Sequence, residues 1–194
     1  HADDGSALPL RASFPVRVTV NGSHASVDVD TYGPGDVTGL DIAAIARTTP
    51  RRFATNVAPD EFPAVEFSVP DLPWMFTPAT ATLGRLRPWL VLVVLTDTDG
   101  VSIGVDPSRP LPTLTIESPA VPAAELPDLA QSWAWAHAQA VTATTGDDPV
   151  AALDGQPGQR LSRLLCPRRL LPGTRYLAAL VPAFDVGVDA GLGR

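Results

Sequence analysis

The chain has 194 residues, a mass of 20.3 kDa, 45% hydrophobic residues and only 18% charged residues. Proline (21) is about twice as common as usual, yet proline and glycine stay below the roughly 25–30% that marks low-complexity chains. These figures exclude a coiled coil, a collagen-like rod and a disordered tail. The net charge of −7 and a pI near 4.8 argue against a general nucleic-acid-binding role, which needs a basic surface.

All 14 basic residues are arginine, and aspartate far outnumbers glutamate. With abundant alanine and proline, this points to a GC-rich bacterial genome. The single cysteine, Cys166, excludes an intramolecular disulfide framework. The opening HADDGSALPL has no signal-peptide pattern, and the longest apolar run, 89–95, is far short of the ~20 residues that span a bilayer. A soluble protein is expected.

The first ordered segment is expected over 14–30. Val16, Val18 and Val20 alternate with Arg17 and Thr19, then Asn21-Gly22 supplies a hairpin turn. Ala25, Val27 and Val29 alternate in the return strand. Gly33, Gly35 and Gly39 do not match the dinucleotide fingerprint and read as a chain-redirecting turn. Asp41 is placed to cap a short helix over 42–47. Val65, Phe67 and Val69 predict a third strand over 64–69. Prolines 70, 73 and 78 then shape a packed-down loop around Trp74 and Phe76.

PWLVLVVL, 88–95, predicts a central strand buried on both faces. A turn at Asp97–Gly100 and a strand over 101–105 suggest a second hairpin. Leu114 and Ile116 mark a further short strand. The alanine- and glutamine-rich stretch 126–146 predicts a helix, and Leu161, Leu164 and Leu165 predict another over 158–166. A final strand is expected over 174–184. The fold class is therefore α+β: a β-rich single domain over 1–194 with antiparallel hairpins, a central buried strand and two helices in the C-terminal half. Segments 1–10 and 147–159 are expected to be flexible, and the chain reads as excised from a longer protein.

Chemistry is thinly signalled. His1, His24 and His137 lack metal-ligand spacing, so no metal or cofactor is expected. The chain has no G-x-S-x-G elbow, and a phosphate loop cannot exist without lysine. Asp28/Asp30 share one strand face and say nothing specific. Asp97/Asp99 reads as turn chemistry, with a weak calcium site as the alternative. Cys166 with His137 is the one nameable thiol–imidazole pair, set against the plainer reading of Cys166 as a core residue.

Arg160, Arg163, Arg168, Arg169 and Arg175 cluster late in the chain, and their planar forks suit an acidic partner surface. A solvated basic face is the competing reading. Trp133 and Trp135 lie about 200° apart on a helix, so one of them is a contact candidate. The partner-binding candidates are those five arginines with Trp135 and Trp74.

Five strings carry a family resemblance: YGPGDVTGLD (32–41), FPAVEFSVPDLPWMFTP (62–78), GRLRPWLVLVVL (84–95), SWAWAH (132–137) and SRLLCPRRLLPGTRYLAALVPAF (162–184). The chain resembles the N-terminal region of large proteins encoded in bacterial contractile injection system clusters, whose products form phage-tail-like particles. The resemblance implies a structural, protein-binding role in the baseplate or tail, with other particle subunits as partners. It also implies assembly in the bacterial cytoplasm into a particle that can leave the cell. It implies no catalytic residues. The alternatives are a ligand- or glycan-binding β-sandwich-like module, and an enzyme using Cys166 and His137.

Overall fold

The computed structural model describes residues 13–142, 146, 148–153 and 158–194. Segment 1–10 lies outside the described residues, as do 147 and 154–157 of the other expected loop.

Ten strands occur among the described residues, all in antiparallel pairings. The chain is a β-rich α+β domain with its helices in the C-terminal half. The opening hairpin joins β1 (Ser13–Val20) to β2 (Ser23–Asp30). A four-stranded sheet runs in the order β3 (Ile45–Thr49), β4 (Ala64–Phe67), β9 (Arg160–Leu165), β8 (Ala136–Ala140). β5 (Leu90–Thr96) pairs with β10 (Tyr176–Pro182), and β6 (Val101–Gly104) pairs with β7 (Thr113–Ile116).

β5 is the centre of the molecule. Its even-numbered residues Leu90, Leu92 and Val94 pack with Val65, Phe67, Ala136, Leu164 and Cys166 from the four-stranded sheet. Val91 and Val93 point the other way, against Ala183 and Phe184. Both faces are covered, which is why the sequence shows an unbroken apolar run rather than alternation. The proline-rich loop is packed down as expected. Trp89 Nε1 donates to Leu72 O at 2.6 Å, Trp74 Nε1 donates to Leu86 O at 3.2 Å, and Phe76 meets Trp89 edge-on.

Four local expectations are corrected. The 42–47 helix is one 3-10 turn, Ile42–Ala44, capped by Asp41 as expected, after which the chain enters β3. The 126–146 helix is a 3-10 segment, Leu129–Trp135, followed directly by β8. The 158–166 helix is β9, the inner strand between β4 and β8. Strand pairing on both edges supplies more than the modest helical preference of leucine and arginine. Ser162 hid the inward alternation: its hydroxyl is fully buried and donates to Val69 O at 2.6 Å.

The second hairpin also differs. The Asp97–Gly100 turn forms, but β6 leaves β5 and pairs with β7, while β10 takes the place beside β5. Among the described residues the α-helices are α1 (Pro122–Glu125), α2 (Pro149–Leu153) and α3 (Asp185–Leu192). α3 packs against β10 and the turn Pro34–Asp36.

Candidate interaction surface

The arginine cluster is divided by the fold. Arg163 projects from the outer face of the four-stranded sheet opposite Glu66 of β4 and His137 of β8. Its Nε donates to Glu66 Oε1 at 2.8 Å, while Arg47 of β3 grips the same carboxylate through Nε and Nη2, each at 2.9 Å. The Arg47 guanidinium holds the Glu66 carboxyl below its usual range; burial opposes this, and Arg163 adds to it.

Arg168 turns inward. It donates to Val94 O (3.0 Å), Glu125 O (3.1 Å), Glu125 Oε2 (2.8 Å) and Thr96 Oγ1 (2.9 Å). Burial alone would raise the Glu125 carboxyl. The Thr96 N–H and the Arg168 guanidinium outweigh it, so the group sits below the ordinary range. This arginine clamps α1 to β5. Arg160 donates to Leu153 O of α2. Arg169 and Arg175 face solvent, and Arg175 approaches Asp97 Oδ2 at 3.3 Å.

Trp74 is held in its loop by the Leu86 bond. Trp135 is half-buried and lines a cavity of about 10 Å³ with Ser132, Leu129 and Leu164. That volume holds about one water, not a ligand. The expected row of outward basic side chains therefore reduces to Arg169 and Arg175, with Arg163 partly exposed.

Cys166 and His137 lie on opposite faces of one sheet. Ala136 and Leu164, a cross-strand pair, point into the core, and Cys166 follows on that side. His137 pairs with Arg163 on the exposed side. Burial pushes the Cys166 thiol up, away from the thiolate needed for attack. Among the described residues no group of three or more His, Cys, Asp or Glu is arranged to hold a metal.

The surface that stands out is the β1/β2 hairpin. Asn21 (φ 50°) and Gly22 (φ 81°) form a two-residue turn whose left-handed backbone matches the twist of the strands. The register pairs Phe14 with Val29, Val16 with Val27, and Val18 with Ala25. All six, with Val20, share one face; Arg17, Thr19, His24, Ser26 and Asp28 share the other. In most proteins such an apolar face lies on a core. Here Phe14 is 50% exposed, Val18 49%, Val20 63% and Val27 59%, and among the described residues no further strand joins the hairpin. A lone two-stranded hairpin is marginal in water and gains stability from a cover.

Its edges are guarded. The two-residue turn makes Val20 and Ser23 a hydrogen-bonded pair, so by alternation position 15 turns its backbone outward. Pro15 stands there and has no N–H to offer a further strand. On the β2 edge, Asp28 and Asp30 place carboxylates beside the free backbone groups, a common protection against pairing. The face is open, and the edges are not. Alternation along the chain marks the hairpin and its two faces, but alternation cannot tell a covered face from an uncovered one.

No family model, curated protein or solved structure matches the chain. Among the described residues no helix is long and apolar enough to cross a membrane.

Proposed function

We propose that this domain is a structural, protein-binding element of a phage-tail-like contractile injection particle, associated with its baseplate or tail, and that the β1/β2 hairpin is its contact arm. The particle assignment rests on the resemblance of the five strings. The contact role is carried by one observation: an apolar hairpin face that no described element of the chain covers. Exposed apolar surface of several hundred Å² on a soluble domain marks an interaction site. Arg169 and Arg175 supply a secondary polar contact, suited to carboxylates.

The test is to mix the domain with the products of the neighbouring genes and follow the mixture by size-exclusion chromatography with light scattering. Co-elution with a baseplate or tail subunit is expected. A domain that binds none of them contradicts the particle assignment.

A further inference from the structure

We propose that the occupant of the hairpin face is the hairpin of a second copy of this chain, stacked face to face and running in the opposite direction. The inference rests on reading the arm as an interaction surface, and it names the partner.

Three observations lead to it. The first is which routes are closed. Edge-to-edge pairing meets Pro15 on one side and Asp28 and Asp30 on the other. Pairing of two β2 edges would also lay two apolar faces side by side and enlarge the exposed patch. Stacking removes both faces from water at once.

The second is the distribution of side-chain size. From base to tip the cross-strand rows are Phe14/Val29, Val16/Val27, Val18/Ala25 and Val20/Ser23. Bulk falls steadily along the arm. Two arms stacked in the same direction would set large rows on large and small on small, leaving a wedge-shaped gap. Reversed stacking about a two-fold axis sets Phe14 over Val20, Val29 over Ser23, Val16 over Val18 and Val27 over Ala25 of the other copy. The layer is then of even thickness, as close packing requires. Such a contact is isologous and closes after two copies. It also leaves the charged faces of both hairpins in solvent.

The third is area. The exposed fractions of Phe14, Val18, Val20, Val27 and Val29 amount to roughly 400 Å² per arm, so stacking with its rim buries about 800–1,000 Å². That is the lower end of specific interfaces. It fits a dimer that forms when copies are held close, and one that dissociates at high dilution.

Sedimentation velocity and light scattering across roughly 1 to 300 µM protein read the association directly. The weight-average mass is expected to rise from 20.3 kDa towards twice that value with concentration. Orientation is read with single-cysteine variants and a bis-maleimide of about 10 Å reach, the spacing of stacked sheets. Cys166 is buried and stays silent. A mixture of V16C and V18C should cross-link efficiently, and a mixture of T19C and S26C, on the polar face, should not. All four positions are on the arm, outside the core, and unchanged thermal melting verifies folding.

A mass that stays at 20.3 kDa throughout overturns the second-copy proposal. So does equal cross-linking of the polar-face pair, or a V16C with V27C mixture that outpaces V16C with V18C, the signature of same-direction stacking. If the isolated domain stays monomeric but a particle subunit binds the arm, the second copy is excluded and the contact role stands.

Discussion

Residues adjacent in sequence are sent by the fold to different tasks. Arg168 and Arg169 are neighbours, yet one is bonded to α1 and β5 and the other is exposed. Composition located the cluster; only the strand pleat and the chain reversal after Cys166 decide which fork meets a carboxylate. Replacing Arg168 by Ala leaves the nearly buried Glu125 carboxylate without its cation. This should cost about 3 kcal/mol in urea unfolding, the order found when one partner of a buried pair is removed. Arg168→Lys should recover only part, because an ammonium cannot reach four acceptors in one plane. Cys166 makes the opposite prediction for chemistry. Its thiol should react with an aromatic disulfide reagent only as fast as the protein unfolds, and Cys166→Ala should cost about 1–2 kcal/mol for a small buried group. Fast labelling of the native protein would contradict the core assignment.

Elements whose pattern matched their surroundings were legible. The strand at 64–67 and the doubly buried β5 carry the period their environments impose, and the Asn21-Gly22 turn marks its hairpin by local turn chemistry. β8 and β9 were not legible, for a physical reason. AHAQA has side chains that suit a helix or a half-exposed strand equally, and RLSRLL places a serine where the core pattern needs an apolar residue. Their identity comes from pairing with β4, a long-range contact that local propensity does not contain. The partner of β5 was missed likewise: the turn at Asp97–Gly100 is real but serves the β6/β7 pair. Gly100 shows how tightly that pair is tied in. It has φ +86°, and a Cβ there would stand 2.2 Å from Glu117 O, whose residue donates its own N–H to Gly100 O. Gly100→Ala should therefore destabilise by about 2–4 kcal/mol, measured by thermal or urea unfolding. A near-neutral result would mean that the β6/β7 pair moves freely against the segment at 117–120.

At the scale of the molecule, two carboxylates tie separate parts together: Glu66 joins β3 to β9, and Glu125 joins α1 to β5 and the segment after β9. Both sit below the ordinary carboxyl range in the folded state. Their contribution is therefore complete above the unfolded value of about 4.3 and is lost as pH falls through the lower folded values. The urea midpoint should hold between pH 7 and about 5, then fall steeply below about pH 4.3, and Glu125→Gln should reduce that acid slope. The hairpin arm lies apart from this framework, with its apolar face on neither side of the core. Under the proposed contact role, association is hence separable from whole-molecule stability. The most direct measurement uses the double variant Val18→Asp/Val27→Asp, which sets charges on the arm's apolar face. Light scattering across concentration and with the proposed particle subunits, beside a thermal melt, is predicted to show lost association and an unchanged transition. A variant that associates as the parent does would contradict the claim that this face is the contact surface.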